Sequence, residues 1–424
     1  MKQTQPAIRI IAEVCRLLIG VVFVFSGFVK AVDPVGFAIK INDYLEVWGL
    51  EASRTWPVII SFGLIAIEFM LGICLLLGVY RRYASFFVLL FMVVMTPLTL
   101  YLALFNPVSD CGCFGDALVL TNWETFYKNL VLLAAAIFVC LYSRRLFQCY
   151  TYKVYWFVAM YAYVYCIGFS YWNYSHLPVI DFRPYKTGAD IPALMEIPVG
   201  AAEDEYRYMF IYEKEGVRKA FSLEDYPAND PAWTFVEAKT ELVKEGYRPV
   251  IESFGIYDAS GEEAAGLILE NTGGVLLLVS SRLEEANDDR IDDINNLYDY
   301  ALERRIPFYC LTASSGDEIL KWTDDTGAEY PFLMADDILL KTMIRSNPGL
   351  VLMKEGRILM KWHYKDMPEE EDIDGVITAY LEGKHADDER NGWIVFNLMA
   401  FTVPLSLVWL YDMLRFRRRK EKKE

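Results

Sequence analysis

The sequence predicts a helical membrane bundle joined to an acidic α/β domain. Three observations predict it. Of the 424 residues, 54% are hydrophobic and the mean hydropathy is positive, which is the composition of a membrane protein. Six apolar segments reach or approach the length that spans a bilayer: residues 7–28, 58–79, 84–105, 126–141, 154–171 and 393–409. Charge is also divided unequally. Residues 173–392 hold 45 acidic against 22 basic residues, whereas the remainder holds 12 against 19. So acidic a block excludes a nucleic-acid role.

The first segment does not read as a cleavable leader, because Glu13 and Arg16 interrupt it and Lys30 follows where small residues would be needed. Its retention gives an even number of spans. Arg9, Arg81, Arg82, Arg144, Arg145, Lys153 and the basic run from Arg415 then all fall on one side. The positive-inside rule makes that side cytoplasmic. Both termini are therefore expected in the cytoplasm, with residues 173–392 outside. The stretch 30–56 mixes charge with Tyr44, Trp48 and Trp56, as a loop lying on the outer interface would. Short connections between the first four spans suggest an antiparallel four-helix bundle. Within the second span stands Glu68. A carboxylate there is costly, so it marks either a functional cavity or a structural partner for Ser26 or Lys30. The membrane half carries no histidine, which argues against haem or a metal centre in the bundle.

Between the third and fourth spans runs Asp110-Cys111-Gly112-Cys113-Phe114-Gly115-Asp116. Two thiols separated by one glycine can close only a small, strained ring, and disulfides of that kind are the redox-labile ones. A tight structural turn or two packed free thiols fit the spacing equally well. Zinc needs four donors, and no second pair supplies them. Carboxylates at 110 and 116 are expected to raise the thiol pKa, which counts against redox work. Cys15, Cys74, Cys140, Cys149, Cys166 and Cys310 read as small apolar residues.

Arg16-Leu-Leu-Ile-Gly20, Ser26-Gly27, Lys30, Asp33, Glu68, Gly72, Gly78 and Arg81 together resemble the four-helix DoxX superfamily. Cys111-Gly-Cys113-Phe114-Gly115 followed by Trp123 resembles its MauE branch, the methylamine-utilisation membrane proteins. This resemblance covers about residues 8–145. It implies a bacterial inner-membrane location and a role in maturing a disulfide-rich periplasmic partner, or quinone-linked thiol oxidation.

Downstream, residues 206–210 and 217–221 flank a hairpin turn at Gly216. Strands are expected at 275–280, 307–312, 331–334, 350–354 and 358–362, with helices at 291–304, 317–323, 338–344 and 372–381. That order resembles the thioredoxin fold, and Asn347-Pro348 stands where that family carries its cis-proline. The resemblance implies that Asn347 and Pro348 border a surface for an extended client peptide. The chain departs from the family at the redox motif, since Ser280-Ser281-Arg282-Leu283-Glu284-Glu285 replaces Cys-x-x-Cys. The domain therefore lacks the attacking thiol.

The expected divisions are a four-helix transmembrane domain at 1–145, a fifth helix at 150–172 and a β-rich extension at 173–270. A thioredoxin-like domain at 271–390, a sixth helix at 392–411 and a basic tail at 412–424 complete the chain. Three functions fit. One is a maturation or assembly factor for extracytoplasmic protein clients. The second is a thiol oxidoreductase in which Cys111 and Cys113 cycle against a quinone. The third is a small-solute transporter with Glu68 in its cavity. Sites are accordingly sought at Cys111, Cys113, Glu68, Asn347 and Pro348, with the bilayer and a protein client as partners.

Overall fold

The computed structural model describes residues 6–417 except 51–54, 109, 215, 223–224, 226, 228–229, 231, 245 and 385–387. Lys2, the basic residues beyond Arg417, Glu215 of the hairpin turn and His385 lie outside the described residues.

The membrane half comprises α1 (Pro6–Val32), α2 (Pro34–Val47), α3 (Thr55–Leu77), α4 (Arg81–Phe105), α5 (Asn122–Tyr142) and α6 (Tyr155–Ser175). α3, α4, the helix at Asn122–Arg145 and the helix at Gly392–Arg415 are long and apolar enough to cross a membrane. The other two expected spans also form helices, α1 of 27 residues and α6 of 21. α1 has two unlike faces. Ala12, Ile19 and Phe23 are buried, whereas Ile10, Val14, Leu17 and Val21 form an exposed apolar face. It packs tightly on α3, where a Cβ at Gly27 would stand 2.8 Å from the Phe69 nitrogen. Without a hydrophobic gradient in lipid, such close backbone approach supplies the packing energy.

α2 corrects the expectation of an interface loop at 30–56. Asp33 caps it, accepting from the Gly36 nitrogen at 2.8 Å, and Pro34 occupies the first helical position. Both are standard start signals.

Two ends of the bundle can be told apart by their contacts. At one end Glu13 accepts from the Phe147 nitrogen, Arg81 donates to the Leu146 carbonyl, and Thr151 pairs with Asp412. Buried Arg16 there donates to the carbonyls of Leu75 and Leu76, satisfying acceptors that the end of α3 leaves open. The opposite end carries α2, the cysteine loop and the whole extramembrane domain.

That domain runs α7 (Ile191–Met195), β1 (Glu205–Lys214), β2 (Val217–Ser222), β3 (Thr234–Lys244), β4 (Ile256–Tyr257), α8 (Ala265–Leu269) and β5 (Val275–Ser280). It continues with α9 (Ile291–Arg304), β6 (Phe308–Thr312), α10 (Gly316–Thr326), β7 (Phe332–Ala335) and α11 (Asp337–Met343). β8 (Gly349–Lys354), β9 (Arg357–His363) and α12 (Ile373–Leu381) complete it, and α13 (Asp388–Asp412) returns to the bundle. Tyr150 and Tyr165 donate to the Leu405 and Asn397 carbonyls of α13 at 3.0 and 2.9 Å.

β1 to β3 form an antiparallel sheet in the order β2-β1-β3, of which β3 was not expected. The main sheet runs β4-β7-β6-β5-β8-β9, with β5, β6 and β7 mutually parallel and β8 and β9 antiparallel. This is the thioredoxin-like arrangement expected from the order of elements. β5 is buried along its whole length, as a central strand covered on both faces must be. Val275, Leu277 and Val279 face one core and Leu276 and Leu278 the other. α9 closes the second core with Ile294, Leu297 and Ala301 at helical spacing.

Candidate functional site

The cysteine loop is held by the elements around it. Thr121 and Glu124 form a reciprocal capping box that starts α5, which fixes where the loop must end. Gly112 sits at φ +64°, and a Cβ there would press on Lys40 Cγ at 3.1 Å. Only glycine takes that conformation without strain. The Ser26 hydroxyl of α1 donates to the Cys113 carbonyl at 2.6 Å, and the Tyr44 hydroxyl of α2 donates to the Cys111 carbonyl at 3.0 Å. So clamped, the two Sγ atoms stand 2.8 Å apart.

Cys111 is 5% exposed, and Cys113 is the more accessible of the two. Their acidities diverge. The hydrogen bond shared with Cys111 draws Cys113 down to about 6; burial opposes this, and the ammonium groups of Lys128 and Lys30 reinforce it. Cys111 is pushed well above its ordinary value by that same hydrogen bond and by burial. A donor thiol beside a stabilised thiolate is the division of labour that exchange requires.

The expectation that Asp110 and Asp116 raise the thiol pKa of the pair does not hold for Cys113. Both carboxylates are answered locally. Lys40 Nζ lies 2.8 Å from Asp110 Oδ2, and Arg345 Nη2 lies 3.6 Å from Asp116 Oδ2. An ion-paired carboxylate exerts little net field on its neighbours.

Glu68 lies 5% exposed in the bundle interior, with its Oε2 2.7 Å from Lys30 Nζ. Lys30 is one turn beyond Ser26 on α1, so the buried pair sits on the helix face that carries the cysteine loop. Asn347 and Pro348 occupy a different place, joined by a cis peptide bond at the start of β8. The Asn347 side chain accepts from Ser280 Oγ at 2.7 Å and donates to the Arg282 carbonyl at 2.8 Å. It thereby closes the turn where thiols would stand in a redox-active domain. The structure connects this edge to the bundle through Arg345, two residues before Asn347, whose Nε lies 2.9 Å from Asp33 Oδ2.

Lys40, Tyr44, Lys128 and Arg345 were not read from sequence as part of the site, Tyr44 being assigned only to the outer interface. The first two carry the signal of the Asp33-Pro34 helix start. Arg345 carries none, because its partners Asp33 and Asp116 are distant in the chain, the first by 312 residues.

Comparison with known proteins bears on each half. No curated protein matches the chain. A solution structure of a putative protein disulfide isomerase from Bacteroides thetaiotaomicron is similar at 16% identity, covering 30% of this chain and 86% of that one with a TM-score of 0.25. The family model for a domain of unknown function, DUF8463, matches residues 206–245, the three-stranded sheet. The family model described as methylamine utilisation protein MauE matches residues 8–142. This is a multi-pass membrane protein, and its residues 8–142, with the cysteine loop and the Lys30–Glu68 pair, are a MauE-like membrane domain.

Proposed function

We propose that the protein is an inner-membrane maturation factor for extracytoplasmic clients, working by thiol–disulfide exchange at Cys113 and Cys111. The observation that carries this reading is the 2.8 Å contact between the two sulfurs in a loop clamped from both α1 and α2. Charge distribution supports the orientation: the end that gathers the basic residues faces the cytoplasm, and the cysteine loop and acidic domain face outward.

In the cycle, the Cys113 thiolate attacks one sulfur of a client disulfide. A mixed disulfide forms and one client thiolate leaves, taking up a proton. A second client thiolate then attacks the mixed disulfide, forming the rearranged client bond and returning Cys113. No electrons are gained or lost overall. Where the client offers no second thiol, Cys111 gives up its proton and attacks instead. The client is then reduced by two electrons and two protons, and the Cys111–Cys113 disulfide waits for an external dithiol. The edge at Asn347 and Pro348 is the surface assigned to an extended client segment.

A membrane-impermeant maleimide applied to right-side-out vesicles tests the site and the orientation together. After mild reduction Cys113 should label with a midpoint near pH 6, since the reactive thiolate is present above that value and lost below it. Supplying a disulfide-bonded peptide should protect it, and Cys111→Ser should trap a mixed disulfide that a dithiol releases. Labelling no better than that of fully buried Cys310 would leave only a non-catalytic assembly role.

A further inference from the structure

The seam between the bundle and the α/β domain is a buried cluster of charges. Behind it, Asp181 pairs with Arg183 at 2.8 Å and also with Lys361, so that part is answered within the extramembrane domain. Arg345 differs, because both its acidic partners belong to the membrane domain. Its Nη1 donates to the Lys341 carbonyl at 2.6 Å, which fixes the side chain to α11. Its Nε donates to Asp33 at 2.9 Å, and its Nη2 faces Asp116 at 3.6 Å. Arg345 is 10% exposed in its side chain.

Each partner controls one wall of the thiol site. Asp33 is the N-cap of α2, the helix that reaches the loop through Lys40 and Tyr44. Asp116 lies in the short turn Gly115–Ala117 that directly follows the cysteines. Burial pushes the Asp33 carboxyl up, but Arg345 and Arg183 outweigh it and hold it below its ordinary value. Burial raises Asp116, and Arg345 opposes that rise. One planar guanidinium thus fastens the helix cap and the turn at once, which a point charge does less well.

We propose that Arg345 is a positioning residue for the thiol pair of the bundle, supplied by the α/β domain. It locks α2 and the turn after Cys113 in place, through ion pairs with the Asp33 cap of the one and Asp116 of the other. A domain without its own cysteines thereby completes the site of another. This deepens the exchange reading and rests on it.

The charges facing the pair define the test. Lys30 with Glu68 come from α1 and α3, and Lys128 comes from α5. Lys40 on α2 answers Asp110 of the loop, and Tyr44 is the other titratable group of that helix at the pair. Asp33 and Asp116 stand with Arg345, backed by Arg183 and Asp181. Arg345→Gln leaves one more uncompensated negative charge near Cys113 and disfavours its thiolate. Asp116→Asn does the reverse.

The experiment measures the pH midpoint of Cys113 alkylation, read by mass spectrometry, in full-length protein in nanodiscs. Arg345→Gln should move the midpoint up by about one pH unit, a roughly tenfold slower reaction at fixed pH below it. Asp116→Asn should move it down, the double variant should return near the parent value, and Arg345→Lys should fall between. A purely structural residue would not produce opposite shifts that cancel. Unchanged midpoints in both single variants overturn the proposal. If Arg345→Gln fails to fold, Asp116→Asn alone decides, because a downward shift supports the proposal and none refutes it. Parent protein that shows no exchange with disulfide peptide refutes the exchange reading, whereas parent exchange with unshifted variants refutes only the role of Arg345.

Discussion

The loop after α4 and the turn after β5 are two answers to one structural problem. Each is a short polar connection held against a neighbouring segment by side-chain hydrogen bonds. In the bundle, Ser26 and Tyr44 hold the carbonyls of Cys113 and Cys111. In the α/β domain, Asn347 holds Ser280 and the Arg282 carbonyl beside cis Pro348. The first has thiols on a membrane scaffold, and the second has the thioredoxin-like scaffold with serines where thiols would act. On the proposed reading, thiols and thioredoxin-like scaffold lie in different domains, which the Arg345–Asp33 ion pair connects.

If that comparison is right, the largest effects belong to the bundle loop. With a client that offers no second thiol, Cys113→Ser and Cys111→Ser should each slow net client reduction by about a hundredfold or more. The double variant should be no worse than either, since both sulfurs serve one step. Additive losses in a client-exchange assay would break the pairing. A smaller effect is expected beneath the loop. Glu68→Gln leaves the Lys30 ammonium buried without its counter-charge, and breaking a buried pair costs about 3 kcal/mol. The partly exposed pair of Asp293 with Arg290 should lose only about 0.5 kcal/mol in Asp293→Asn. Equal losses in detergent unfolding would mean that Glu68 is solvated. The smallest effect belongs to the serine turn, where Ser281→Ala should leave exchange within about twofold of the parent. A large loss there would return chemistry to the α/β domain and sharpen the comparison the other way.

Much of the fold was legible along the chain. Apolar runs placed α3, α4 and α5, and the continuous hydrophobic stretch at β5 announced a strand covered on both faces. α9 could be read from the spacing of Ile294, Leu297 and Ala301. Where local signals were mixed, reading failed. α2 lacks a continuous apolar stripe, so its Asp33-Pro34 start was passed over for an interface loop. β3 was missed because its partner is β1, reached after a long connection, and no tight turn marks the pairing.

The cysteine spacing could likewise be read, but its chemistry could not. Sequence placed two carboxylates beside the thiols and suggested a raised pKa. The folded chain supplies Lys40 and Arg345 to answer them, and Lys30 and Lys128 to favour the Cys113 thiolate.

By itself, then, the sequence determined the strongly periodic helices and strands, the apolar segments fit for a membrane, and that two thiols share a glycine turn. These properties depend on neighbours a few residues away, through hydrophobic periodicity and capping. Only the tertiary structure decided which charges meet. Lys30 finds Glu68 38 residues on, and Arg345 finds Asp33 312 residues back. A thiol's acidity depends on burial and on charges within a few ångströms in space, and distance along the chain does not report that separation.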